Sequence, residues 1–257
     1  MGSFVDLPRM PSFRLEGRQA LVTGGSRGIG LAAATALAQA GAVVTLTARA
    51  SADAERAASA IVSQGGVAVG VKFEASDAQA CESLGTIAPF DILVNNAGIA
   101  RHRPFLDVET PDFDAVMDVN VRGAFLVAQS VARSMAERGK GGSIINISSQ
   151  MGHVGGPNRS VYCASKFAVE GMTRAMAIEL GRHNIRVNTL CPTFIETPLT
   201  RASLADPAFS AWVLEKIKLG RLANLDEVMG PIVFLASDAA SMVTGSSLMI
   251  DGGWTAG

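Results

Sequence analysis

Short runs rich in β-branched residues alternate with longer stretches of helical periodicity from Arg18 almost to the end of the chain, and this alternation confines the fold to βαβ units around a parallel sheet. The strand-like runs cover residues 20–23, 43–47, 68–72, 92–94, 143–147, 186–190 and 247–250, and helical periodicity is clearest over 31–40, 112–133 and 161–180. A doubly wound α/β sheet of about seven strands, with helices on both faces, is the expected architecture. With 257 residues, 48% hydrophobic and only 18% charged, the chain can close one large core. No stretch reads as an interdomain linker, because the glycine-rich 139–142 directly precedes a strand and is a tight turn. Residues 15–257 are therefore expected to form a single domain behind a flexible extension, 1–14. Within it, 192–218 breaks the rhythm with Pro192, Pro198 and Pro207, and reads as a substrate lid or a static surface loop.

Composition excludes several classes of function. The net charge is -1 with no basic stripe, so nucleic acid is not an expected partner. Cys81, Cys163 and Cys191 are odd in number and lack CxxC spacing, which suits reduced thiols in a cytoplasmic compartment. His102, His153 and His183 are scattered singly, so no bound metal is expected. The N-terminal residues lack the apolar centre of a signal peptide, and no later run would span a bilayer, so no membrane association is expected.

The segment Thr23-Gly24-Gly25-Ser26-Arg27-Gly28-Ile29-Gly30 joins the first strand to the first helix. Glycines at such a junction let backbone N–H groups and the helix N-terminus approach a pyrophosphate. An acid that would bind both ribose hydroxyls is missing from the end of the second strand, which reads Thr47-Ala48-Arg49. Arg49 and Arg27 suit a 2′-phosphate instead, so NADP(H) is preferred, with NAD(H) as the alternative. Tyr162, the only tyrosine, lies four residues before Lys166 on a helical stretch, so the two share a face. A phenol titrates near pH 10, and an adjacent ammonium is one way to stabilise its phenolate.

These motifs, with Asn95-Asn96-Ala97-Gly98, Asn120, Ile147-Ser148-Ser149, Tyr162-Cys163-Ala164-Ser165-Lys166 and Asp251-Gly252-Gly253, occur in an order that resembles the short-chain dehydrogenase/reductase family over residues 15–253. The resemblance implies a Rossmann-type enzyme that interconverts a secondary alcohol and a ketone. It makes Tyr162 the general acid/base, Ser149 the group that hydrogen-bonds the substrate oxygen, and Lys166 the holder of the nicotinamide ribose. Asn120 would support a proton path to the lysine, or else be a structural asparagine. Ser148 competes with Ser149, and the family spacing to Tyr162 favours Ser149. Cofactor contacts are implied at Gly24, Ser26, Arg27, Gly28, Ile29, Gly30, Arg49, Glu74, Ala75, Asn96, Ala97, Gly98, Pro192, Ile195 and Thr197, besides Tyr162 and Lys166.

Three departures from the family pattern stand out. Thr193 follows Pro192 where a glycine is usual, and is either a specificity residue or filler. Glu74 replaces an aspartate, and the stretch 77–90 is short enough to imply a truncated helix. Ile99-Ala100-Arg101-His102-Arg103 is similar to the basic stretch of gluconate 5-dehydrogenases, so Arg101 and Arg103 are candidates for a substrate carboxylate or a solvated rim. With polar Gln150, His153 and Asn158, they point to a small hydroxylated substrate such as a sugar acid or polyol. A 3-oxoacyl-thioester reductase shares the same pattern, and a catalytically idle NADPH-binding regulator is a third reading, against which the intact Ser149, Tyr162 and Lys166 argue. The resemblance further implies a homotetramer built through the helices near 112–133 and 161–180.

Overall fold

The computed structural model describes residues 6–196, 200 and 204–257. Seven strands, β1 (Gln19–Val22), β2 (Val43–Ala48), β3 (Val67–Lys72), β4 (Ile92–Asn95), β5 (Gly142–Ile147), β6 (Ile185–Pro192) and β7 (Ser247–Ile250), form one sheet. Its order is β3-β2-β1-β4-β5-β6-β7, and every neighbouring pair is parallel. The order reverses between β1 and β4, and a crevice opens there at the carboxyl ends of the strands.

Both faces of the sheet are covered. On one, α1 (Gly28–Gln39), α2 (Ser51–Ser63) and α8 (Met229–Ala236) close a core that includes Leu37, Val44, Leu46, Ile61 and Ile232. On the other, α3 (Ala78–Leu84), α5 (Ala124–Arg138) and α6 (Ser160–Leu180) enclose Leu84, Phe90, Leu93, Val131, Met135 and Ile144. A third, aromatic cluster of Phe194, Phe209, Trp212 and Trp254 joins the end of β6 to α7 (Pro207–Lys216). The seven-residue α3 agrees with the short 77–90 stretch. Phe13 packs against Phe234 of α8 with ring centres 6.4 Å apart, so the chain before β1 touches the domain at that point.

Residues 112–133, expected as one helix, form α4 (Thr110–Met117), a π-helical turn over Asp118–Gly123, and then α5. An extra residue in one turn rotates the helix beyond it, and such turns are frequent at functional sites. Here the turn holds Asn120, which is 2% exposed. Among the described residues no helix is long and apolar enough to cross a membrane.

Candidate active site

A cleft of about 1040 Å³ runs along the carboxyl edge of the sheet, lined by the 24–30 turn, the ends of β2 and β3, the 96–101 segment, the end of β5, Tyr162, Lys166 and the start of the segment after β6. Its geometry begins with glycine. Gly28 has φ +55, and a Cβ on Gly30 would overlap the Gly24 carbonyl and the Asn96 amide. Gly28 and Gly30 therefore carry no side chain where α1 starts, and no side chain caps its N-terminal N–H groups. The neighbouring loop is tied down by Thr23, whose hydroxyl accepts from Asn96 N at 2.9 Å and Ala97 N at 3.0 Å. Asn96 in turn donates its amide to the Thr23 and Gly24 carbonyls.

Gly24, Ser26, Arg27, Gly28, Ile29, Gly30, Arg49, Glu74, Ala75, Asn96, Ala97, Gly98, Pro192 and Ile195 all line this cleft, while Thr197 lies outside the described residues. The sequence reading missed Thr47, Asp53, Phe73 and Ser76 on the same wall. Asp53 is the one with charge, and it is engaged by Arg56 at 2.6 Å. Neither Arg27 nor Arg49 has an ion-pair partner among the described residues.

At the opposite end of the cleft stand Ser149, Tyr162 and Lys166. Ser149 directly follows the β5 exit, and its Oγ lies 2.8 Å from Gln150 Oε1 and accepts from Met151 N at 3.1 Å. Tyr162 is the third residue of α6, at the positive end of a 21-residue helix, which favours phenolate. Burial pushes its pKa up, and a hydrogen bond with Ser149 pulls against that. Lys166 is one turn further along. Its Nζ donates to Ile147 O at 2.8 Å and sits 5.6 Å from the Tyr162 ring centre. Burial brings its pKa down to about 8, with the Glu170 carboxylate opposing that fall.

Behind Lys166 and Ser148 the carboxylate of Glu170 is 2.6 Å from Ser247 Oγ, 3.1 Å from Thr189 Oγ1 and 3.2 Å from Cys191 Sγ. Burial alone would raise the Glu170 pKa, but hydrogen bonds from Ser247, Ser148 and Cys191 hold it below the usual range. Burial pushes the Cys191 thiol up to about 12, so it is a neutral donor. If Glu170 helps keep Lys166 charged, Glu170→Gln should lower the lysine pKa further. The alkaline limb of kcat/KM should then move toward neutrality, and an unmoved limb would assign Glu170 to packing alone.

Four of the expected substrate contacts are placed differently. His153 turns into this buried network, with Nε2 at 3.3 Å from Glu170 Oε1, because the 150–152 turn directs it behind β6. Asn158 is exposed in a left-handed turn, φ 59, away from the cleft lining. Gln150 is 2% exposed and meets Ser149 rather than the cleft. Arg103, outside the cleft lining, bonds Asp112 at 2.7 Å, while Arg101 lines the cleft yet bonds the same carboxylate at 2.5 Å. Thr193 does line the cleft, and its buried Oγ1 has no hydrogen-bond partner among the described residues. Asn120 lies behind the lining, where its side chain brackets Ile99 through the backbone N–H at 2.8 Å and C=O at 2.9 Å, and donates to Ser165 Oγ at 3.1 Å.

A parallel seven-stranded sheet with a glycine cradle and a Ser-Tyr-Lys group on one cleft defines a class of oxidoreductase, and the chain belongs to the short-chain dehydrogenase/reductase family. The family model described as "Enoyl-(Acyl carrier protein) reductase" matches residues 24–255. The chain is 43% identical to an L-xylulose reductase of Bos taurus over 95% of its length and 98% of that protein's. It is 40% identical to a gluconate 5-dehydrogenase of Gluconobacter oxydans, over 95% of this chain and 96% of that one. The structure of a gluconate 5-dehydrogenase from Burkholderia cenocepacia with NADP and tartrate superimposes with a TM-score of 0.93 at 40% identity, covering 96% of this chain and 99% of that one.

Proposed function

We propose that this chain is an NADP(H)-dependent reductase and dehydrogenase that interconverts a secondary alcohol and a ketone on a small hydroxylated substrate, a sugar acid or polyol. The observation that carries this reading is that the glycine cradle and Ser149, Tyr162 and Lys166 open on one continuous cleft. The residues fit a dinucleotide: the turn packs so closely that a Cβ on Gly30 would overlap the Gly24 carbonyl, the α1 N-terminus faces the cleft, and two arginines without an acidic partner among the described residues flank its far end. Relatives named for pentulose and keto-gluconate chemistry, and a related structure captured with NADP and the hydroxylated acid tartrate, support both the cofactor and the substrate class.

A nicotinamide held by the glycine turn and Lys166 would supply or accept the hydride at the carbon that bears the oxygen. The remaining steps belong to the protein. In reduction, Tyr162 gives its phenolic proton to the developing alkoxide, and in oxidation it takes the proton back. Ser149 steadies the negative oxygen through its hydroxyl hydrogen. That hydrogen is free for the substrate when the Gln150 amide is turned end for end, because Gln150 and Met151 N then both donate to Ser149 Oγ. Gln150 is thus a positioning residue. Lys166, anchored on the Ile147 carbonyl, holds the ribose and lends positive charge to the phenolate. Asn120 fixes the Ile99 backbone and reaches Ser165 on α6, and so sets the distance between the two walls.

The described part of segment 192–218 covers the substrate: Thr193, Ile195 and Thr200 line the cleft, and Phe209 and Trp212 pack with Phe194 and Trp254. Phe113, Phe125 and Phe167, each exposed on α4, α5 or α6, supply an apolar face for a homotetramer of a cytoplasmic enzyme. The reading is tested with a panel of keto-aldonates, ketoses, polyols and β-ketoacyl thioesters, each with the matching form of NADP(H) or NAD(H), followed by nicotinamide absorbance. Turnover of keto-aldonates or ketoses with NADPH is expected. Turnover of the thioesters alone would transfer the chain to acyl-chain reduction, and no turnover of any compound would sink the reading.

A further inference from the structure

This inference rests on the reading of a small hydroxylated substrate and specifies its charge. Arg159 precedes α6, three residues before Tyr162, and is only 6% exposed. Its guanidinium carbon lies 4.6 Å from the centre of the Phe209 ring and 5.5 Å from that of Phe194, and Nη1 donates to the Pro157 carbonyl at 2.8 Å. Among the described residues no carboxylate is within ion-pair distance, and the residues outside them (1–5, 197–199 and 201–203) contain no Asp or Glu. A buried guanidinium without a counter-anion is costly, and aromatic faces offset only part of that cost. Arg101 and Arg103, by contrast, share the Asp112 carboxylate, with Glu109 4.0 Å from Arg103 as a second counter-anion.

Arg159 lies behind the cleft lining rather than on it, and two neighbours set it beside the substrate end. His102 meets Tyr162 edge to face at 6.0 Å, and burial together with Arg159 lowers its pKa to about 4, so it brings no second charge. Thr193 lines the cleft directly before Phe194, whose ring carries the guanidinium, and its buried hydroxyl has no hydrogen-bond partner among the described residues. An unbalanced cation packed on the Phe194 ring and an unsatisfied hydroxyl on the preceding residue fit an oxyanion that also carries hydroxyl groups.

We propose that Arg159 and Thr193 form the carboxylate-binding end of the substrate pocket, so that the substrate is a hydroxylated keto acid whose carbonyl reaches Tyr162. The guanidinium takes the carboxylate and the Thr193 hydroxyl bonds the same group or the adjacent hydroxyl. Specificity for acids over neutral ketoses then resides at Arg159 rather than at Arg101 and Arg103.

The test compares 5-keto-gluconate with L-xylulose, each with saturating NADPH, in the wild type, Arg159→Gln and Arg159→Lys. Arg159→Gln should raise KM for the acid by about 10–100-fold and leave the neutral ketose within about twofold, with Arg159→Lys between the wild type and the glutamine variant. Equal losses on both substrates would assign Arg159 to packing, and no loss on either would overturn the proposal. Because Arg159 is buried, NADPH affinity and Tm are measured in parallel. Should neither variant fold, a wild-type kcat/KM for the ketose tenfold or more above that for the acid overturns the inference, and the opposite preference supports it. Calorimetric titration of the enzyme–NADPH complex with gluconate and with its neutral polyol reads the subsite without turnover. If the wild type reduces neither substrate, the functional reading fails, whereas the charge inference still stands or falls on whether gluconate binds more tightly than the polyol and loses that advantage in Arg159→Gln.

Discussion

Tyr162→Phe is expected to lower kcat by about 10²–10⁴-fold while leaving NADPH affinity within a few-fold, the range that a positioned general acid contributes. The substitution removes one oxygen from a ring that remains held by its helix and by the His102 edge. What is lost is the only phenol in the chain and the proton that it would pass to the substrate oxygen. Steady-state rates and a fluorescence titration of NADPH separate the two effects. A variant that kept more than a tenth of the wild-type rate would show that another group moves this proton. Ser149→Ala should cost less, because it takes away stabilisation of the alkoxide and leaves the proton source.

The second large effect is expected at the other end of the cleft. Arg27 and Arg49 both line it and neither is engaged by an acid among the described residues, so a 2′-phosphate would meet two free guanidiniums. Hydrogen bonds to a charged group contribute about 1.5–3 kcal/mol each, or roughly 10–100-fold in affinity. The double substitution to alanine should raise KM for NADPH by about 10²–10³-fold, less than the product of the single effects because both act on one phosphate. KM for NADH should stay nearly constant, since its ribose hydroxyl carries no charge. If both cofactors weakened together, the arginines would be serving the adenine or the fold, and the missing acid at the end of β2 would have misled.

The fold was legible because each strand combines β-branched bulk with abrupt glycine or polar boundaries. All seven expected strands occur, β1 beginning one residue earlier than read and β6 running on to Pro192. The rod over 112–133 was readable as helix, but the π turn at Asp118–Gly123 was not, because one extra backbone residue leaves no signature in apolar spacing. α2 hides for another reason: its buried face is mostly alanine, Ala54, Ala57 and Ala58, with Ile61 alone carrying bulk.

The site divides in the same way. The glycine turn and the Tyr162–Lys166 pair are local patterns, and their neighbours in sequence are their neighbours in space. The substrate end is assembled from separate segments, and there proximity in sequence failed. Arg101 and Arg103 look available in the sequence, but Asp112, on a different element, holds both. His153 lies between two site residues yet joins Glu170 behind the sheet. Arg159 escapes notice beside its exposed neighbour Asn158, since nothing in a string of letters tells which of two adjacent polar residues folds inward.

The reversal of strand order between β1 and β4 also governs how this enzyme can diversify. The ends of β1, β2 and β3 line the part of the cleft proposed for the adenosine phosphate, the ends of β5 and β6 line the part proposed for the reacting groups, and the Thr23 and Asn96 hydrogen bonds form a seam between them. Each half can therefore accumulate changes without disturbing its counterpart. A lineage can exchange its currency of reducing power on one side of that seam and its diet on the other, as two independent inheritances.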